Sequence, residues 1–464
     1  MQPVSAPAVS LAWPGGVAGL DERAGVLLQV EGATAPVRLS LRPDPGLVPV
    51  LLAEDVAEHA GAGQYEVSQR VTVAEHCQVR WLLEDSPGPL ELEVELPQGH
   101  HGWCWPSEAD ALLAVFPEDG PGPVLLLQVH QGSLNWAGES ADGRRLRLSL
   151  GQAGTDRQVT VLRAHRLPSL AAAAQLLPAW YRPLAIGAGD DWEADIADLG
   201  VDASDPVEIE FPDDQRTVRL RAPGGRHRIG LHGRRGVTEV LLEVCPRSDQ
   251  LIAQVARRAL DAERLSSAGA VVVQQAVVHG DLASDRFVED ALDRFDWTSR
   301  GEPLAIAFGC HRAVQESEPA MVEEAVRQVL ALPDRRQQAQ VRRIVAFTAA
   351  ALGADAGPLE SVMRPIPRPV LGDRLHFGQR TEAGAAQLSG AINRLGAGLP
   401  GRAVGLSPAA TAELICLLDA CPEHWPEAPL AALAAQQARF KLFAGYAAGD
   451  ITDPAALAWL LIGG

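Results

Sequence analysis

Between Leu90 and Leu96 the chain reads Leu-Glu-Leu-Glu-Val-Glu-Leu. Apolar and acidic positions alternate without a break, which is the period of a strand with one face buried and the other in water. Similar runs occur at 26–30, 37–41, 65–73, 79–83, 124–129, 146–150 and 159–162. Proline and glycine clusters at 42–46, 86–89 and 118–123 separate these runs and supply the backbone angles of turns. Short strands spaced in this way predict an antiparallel β-sandwich.

The alternation breaks near Leu167. The sequence PSLAAAAQLLPAW predicts a short linker helix, opened by Pro168-Ser169 and stopped before Pro178. Strands resume at 207–211, 217–221, 227–231 and 239–244 and predict a small β-subdomain. From about Ser248 apolar residues recur every three to four positions. Phe287, Val288, Ala291, Leu292 and Phe295 share one face of a helix over 284–296, with Ser284 as its cap. Met321, Val322, Ala325, Val326, Val329 and Leu330 repeat the spacing, as do Leu388, Ile392, Leu395 and Leu399. Ser407-Pro408 makes a cap followed by a first-turn proline. Three prolines in 364–380 prevent continuous helix there. The expected layout is an antiparallel β-sandwich over 1–166, a linker helix with a small β-subdomain over 167–246, and an all-helical α/α domain over 247–464. The helices would form a partial toroid or an array of hairpins.

Composition narrows the partners. The net charge of −19 opposes binding to nucleic acid or to an anionic membrane. Lys441 is the only lysine, and Asn135 and Asn393 are the only asparagines. GC-rich codons produce such a bias, so an arginine cluster carries less chemical meaning here than elsewhere. Cysteines 77, 104, 245, 310, 416 and 421 are scattered without zinc-ribbon or disulfide-framework spacing and read as small buried hydrophobes. The N-terminal residues lack the basic and apolar regions of a signal peptide, and no apolar run is long enough to span a bilayer. A cytoplasmic location is expected. Residues 396–401 match GxGxxG formally, but they follow a helical stripe and contain Pro400. No motif calls for a cofactor.

Four stretches carry candidate chemistry. In 177–200, Trp180, Tyr181 and Trp192 offer flat faces that stack on sugar rings, while Asp190, Asp191 and Glu193, with Asp195 and Asp198, could supply an acid and a base. The plainer reading is a junction packed by its aromatics, with its acids in water. Seven arginines follow within 216–235, as an anion site or as partners of the preceding acids. On the helix over 284–296, Glu289, Asp293 and Asp296 lie on one side, with Asp290 beside them. They line a cavity or form a solvated face. His100, His101 and Cys104, taken with Cys310 and His311, could close a zinc site, but nothing in their spacing requires it, and no metal is expected.

The succession of β-sandwich, linker helix and helical domain, with LPAWYR at the junction, resembles the glucoamylase-like and six-hairpin glycosidases. The resemblance implies a carbohydrate-active enzyme, a glycoside hydrolase or lyase relative. It would work through paired carboxylates in a cleft at the β/α junction. Asp190, Asp191 and Glu193 would be the first candidates and Glu289 and Asp290 a second group, with Trp180, Tyr181 and Trp192 holding the sugar. The residues themselves leave two other readings open. One is a non-catalytic binding or assembly module whose helical half docks a protein partner. The other is a cyclase or transferase that closes a helical pocket around a small molecule.

Overall fold

The computed structural model describes residues 8–21, 25–42, 48–62, 66–84, 90–118, 122–150, 157–196, 199–212, 216–333, 335–359, 382–419 and 421–463. The change of rhythm in the sequence is a change of structure. Apart from the short strand Arg402–Ala403, the strands among the described residues end at Val244, and α-helices begin at Ser248. The proline-rich stretch 364–380 lies outside the described residues.

Two antiparallel sheets face each other in the first part. One has seven strands, in the order 9–13, 16–20, 25–30, 37–42, 90–95, 145–150 and 134–139. The other has nine and runs from the short strand Arg402–Ala403 through His100–Trp105, Leu112–Pro117, Val124–Gln131 and Arg157–Leu167 to Cys77–Glu84 and beyond. Leu90–Glu95 shows why the sequence alternates. Leu90, Leu92 and Val94 point into the sandwich core with Val79, Trp81 and Leu83 from the opposite sheet, and the glutamates between them remain partly exposed. Within this core the Trp81 indole donates to Gln69 Oε1 at 2.6 Å, so both buried polar groups are satisfied.

The nine-stranded sheet is buried on both faces at one end. Leu113, Val115, Leu125 and Leu127 enter the sandwich core, whereas Leu112, Ala114, Leu126 and Phe116 enter a second core shared with the linker, the small sheets and the helices. That second core fixes the two halves together. The linker Leu170–Leu176 is a 3-10 turn instead of an α-helix. Ser169 makes no side-chain cap bond, and Pro178 closes off any extension, so only a short turn forms. A four-stranded and a three-stranded sheet follow, and Ala185–Ile186 runs parallel to the end of Gly236–Val244.

Among the described residues, ten α-helices follow Arg247. The cap of Arg286–Asp293 is Asp285, whose carboxylate accepts from Val288 N at 2.9 Å, while the neighbouring Ser284 hydroxyl binds Glu289. Ser407 caps Pro408–Asp419 as its sequence predicts, accepting from Ala410 N at 3.2 Å. Helix Ala428–Ala448 lies against the strands Gly225–Gly233 and Gly236–Val244, and Gln437 donates to Ala185 O at 3.0 Å.

The formal GxGxxG stretch turns out to be a contact device. Residues 396–398 form a 3-10 turn, and Arg402–Ala403 then pairs with Trp103 and Cys104 at the edge of the nine-stranded sheet. Gly401 has φ +107°, and a Cβ there would stand 2.3 Å from Cys104 O. Gly401→Ala is therefore expected to cost about 1–3 kcal/mol in urea denaturation. Gly449→Ala tests the role of contact: Gly449 also has positive φ (+83°), but nothing lies within 4 Å, so its loss should be smaller.

Candidate active site

Where the helical half returns to the sandwich, a cleft of about 770 Å³ opens at the β/α junction. Five separate parts of the chain build it. Trp103, Trp105 and Glu108 come from the end of strand His100–Trp105, and Asn135 and Trp136 from strand Leu134–Glu139. Tyr181 comes from the linker, Arg226, Glu239 and Glu243 from the small sheet, and Arg402 and Lys441 from the helical half.

One wall is aromatic. Trp105 and Tyr181 line it and meet each other and Trp180 edge to face, with centroids 6.0–6.4 Å apart. Tyr181 lines the cleft, yet its hydroxyl is buried and has no hydrogen-bond partner among the described residues. Burial also raises its pKa, so the phenol stays protonated throughout the neutral range. On another wall the Arg402 guanidinium lies 3.8 Å from the Trp136 ring centroid.

Most of the charges in the cleft are paired. Arg226 donates to Glu243 at 3.1 Å and to Asp450 at 2.8 Å. Arg228 lies 3.6 Å from Glu239, and Arg402 lies 3.9 Å from Glu139. Two charged wall residues, Glu108 and Lys441, take part in no ion pair among the described residues. Glu108 sits in the left-handed backbone region at φ +55°, which costs a non-glycine residue about 1–2 kcal/mol. Strain of that kind persists where surrounding structure imposes it, here through the bridge between Glu108 and Leu134. Burial raises the Glu108 pKa, an Asn135 hydrogen bond opposes the rise, and the neighbouring Glu239 charge adds to it. Glu243 is raised by burial against the pull of Lys441 and Arg226, and Lys441 is lowered, again chiefly by burial.

The residues singled out from the sequence are dispersed. Trp192, 2% exposed, packs in the second core, and so does Trp180 at 8%; neither lines the cleft, whereas Tyr181 does. Strand Trp192–Asp195 pairs with Thr217–Arg221 so that Glu193 faces Arg219 and Trp192 faces Leu220. The acids therefore project from the outer face into the arginine cluster. Arg219 donates to Glu193 at 2.5 Å, and Arg221 grips Asp191 with two bonds of 2.9 and 3.0 Å. The Arg221 hydrogen bond holds Asp191 below the usual carboxylate range. Asp190 accepts from Gly187 N at 3.2 Å on an exposed turn. Glu289 and Asp290 lie on the outer side of Arg286–Asp293, where Arg312 lies 3.8 Å from Glu289 and Arg294 lies 3.5 Å from Asp290. These carboxylates are absent from the cleft wall.

The cysteine and histidine candidates also separate. His101 lies 3.7 Å from Glu118, whereas Cys104 and Cys310 are buried in different cores with thiols pushed up to about 12 by burial. Among the described residues no three metal-ligating side chains converge, and no helix is long and apolar enough to cross a membrane.

The cleft residues that sequence reasoning did not select are Glu108, Asn135, Glu239, Arg402 and Lys441. Their one sequence signal is rarity: Lys441 is the sole lysine, and Asn135 is one of two asparagines.

No protein-family model matches the chain, and a search of curated proteins finds no relative. Among solved structures, a polysaccharide lyase is similar in fold, with a TM-score of 0.51 at 9% identity. The match covers 94% of this chain and 81% of that one. The likeness extends over both the β and the helical parts, so the β-then-α layout is one that a carbohydrate-active protein also has.

Proposed function

We propose that this protein is a carbohydrate-active enzyme that cleaves an acidic polysaccharide in the junction cleft by β-elimination. The observation that carries the reading is the cleft itself. A tyrosine whose hydroxyl has no hydrogen-bond partner among the described residues, a strained glutamate and a lysine outside any ion pair line one aromatic-walled cavity, where most of the other charges are paired. The fold shared with a polysaccharide lyase supports it.

Elimination from a uronate sugar breaks the C5–H and C4–O4 bonds and forms a C4–C5 double bond. Glu108 takes the C5 proton. Its raised pKa makes it a stronger base than an ordinary carboxylate. Tyr181, held as the phenol, gives its proton to O4 as the glycosidic bond breaks. Solvent then returns the proton from Glu108 to Tyr181. The Lys441 ammonium on the cleft wall offsets charge that builds on the sugar carboxylate. From the stretch 177–200, this scheme uses Tyr181.

A second reading rests on the neighbourhood of Glu108 and Glu239, since a pair of carboxylates flanking a glycosidic bond can also hydrolyse it. Incubation with pectate, alginate, hyaluronan and neutral glucans tells the two apart. Elimination is expected to produce new reducing ends together with the ultraviolet absorbance of an unsaturated sugar. New ends without that absorbance would mean hydrolysis. Binding without either product would mean a binding module. Tyr181→Phe is expected to lower the absorbance rate by about 10²-fold or more, the usual worth of a positioned proton donor.

A further inference from the structure

The chain contains 39 arginines, the 40 cationic residues less Lys441, and one lysine. An ammonium differs from the guanidinium that supplies every other side-chain cation here: it is a compact point charge and not a planar fork. Lys441 lies on helix Ala428–Ala448 and lines the cleft. Its ammonium has three hydrogens to donate. One goes to Gly401 O at 2.9 Å and another to Leu399 O at 3.3 Å, the segment that Gly401 presses onto the sandwich. The third meets no acceptor among the described residues. Glu243 acts on Lys441 only through space, because its carboxylate is bound to Arg226. Arg226 is itself taken up by Glu243 and Asp450. A desolvated ammonium with an open donor on a cavity wall is costly until an anion reaches it.

We propose that Lys441 is the specificity-determining residue of the cleft. Its third N–H binds a carboxylate oxygen of the substrate, while the other two hold the 399–401 loop in place as part of the same wall. The inference rests on the acidic-polysaccharide reading above and assigns the group that reads the acid. An arriving carboxylate contacts the same ammonium that holds the Leu399 and Gly401 carbonyls, so recognition and loop position are coupled. The charged groups acting on Lys441 are Glu243, which favours its ammonium form, and Arg226, which disfavours it. A bound carboxylate adds to the effect of Glu243.

Because the chain has one lysine, full-length protein labelled with carbon-13 at lysine Cε gives one lysine signal. Its pH titration is followed alone, with galacturonate, mannuronate and hyaluronan oligomers, and with maltotriose. The midpoint for the free protein is expected below the ordinary lysine value of 10.5. An acidic oligomer that binds should raise it by about one unit or more, and maltotriose should leave it in place. Lys441→Met should weaken binding of that oligomer about 10–100-fold, the range of a charge-assisted hydrogen bond. Calorimetric binding of an acidic oligomer with no change in the Lys441 signal would overturn this proposal and leave the enzyme reading standing. If no acidic oligomer binds, both fail.

Discussion

Glu108→Gln should lower turnover of an acidic polysaccharide by about 10²–10⁴-fold, the span that a positioned acid or base contributes. Glutamine keeps the size of the side chain and its hydrogen bonding toward Asn135, so the urea midpoint should stay near that of the parent. Glu108→Asn is informative in a second way. Asparagine tolerates the left-handed backbone that Glu108 adopts at φ +55°. It should therefore match or exceed the parent in stability while being equally inactive, the mark of strain kept for function. The pH profile gives an independent check. Glu108 acts as a base only when deprotonated, so its raised pKa sets the acidic limb of activity above 4.5. Glu239→Gln removes a charge that raises this pKa, and the limb should move to lower pH. Asn135→Ala removes a bond that lowers it, and the limb should move to higher pH.

The second large effect is structural. Arg226 bridges the small sheet to the segment after helix Ala428–Ala448, through Glu243 at 3.1 Å and Asp450 at 2.8 Å. Glu243 is almost fully buried, whereas Asp450 is exposed. Arg226→Met removes the hydrogen-bonded partner of the buried Glu243 carboxylate, leaves it only the through-space pull of Lys441, and should destabilise the fold by about 3–5 kcal/mol in urea denaturation followed by tryptophan fluorescence. The sign of the pH response follows from Glu243. Its pKa is raised in the folded state, so the folded protein binds this proton more tightly than the unfolded chain does. Stability therefore falls as pH rises through the folded value and is regained as pH falls toward the ordinary 4.5. In Arg226→Met the rise grows, and the variant should recover most at mildly acidic pH. The double variant Arg226→Met/Glu243→Met removes both charges and should recover most of the loss.

These two residues show what the sequence could disclose. The β-to-α change was legible because most strands have one wet face: Leu90–Glu95 alternates residue by residue in burial as it does in sequence. Leu112–Pro117 escaped notice because both of its faces are covered, one by the sandwich core and one by the second core, so no polar position marks the period. The linker is legible as a break, but its 3-10 form is not, because the sequence offers Ser169 as a cap and the Ser169 side chain makes no cap bond. The site was harder to read. Tyr181 stands in an aromatic cluster visible in the sequence. Glu108, Asn135, Glu239 and Lys441 are drawn together by strand order and by the return of Arg402–Ala403 to the sheet edge, which no local pattern encodes. The acids at 190–195 are dense in sequence, yet alternation on Trp192–Asp195 turns Glu193 and Asp195 outward while burying Trp192. Arg219 is the register partner of Glu193, and Arg216 and Arg221 form ion pairs with Asp195 and Asp191, so the first part of the contrast in charge is one between two paired strands.

The central claim is that an acidic sugar binds at the β/α junction. A crystal structure of Glu108→Gln with an acidic tetrasaccharide tests it most directly. A sugar ring is predicted in the cleft beside Tyr181, with its carboxylate on Lys441 and its C5 facing residue 108. A tetrasaccharide bound instead along the outer face at Asp191 and Glu193, or beside Glu289 and Asp290, with the junction cleft empty, would contradict the account.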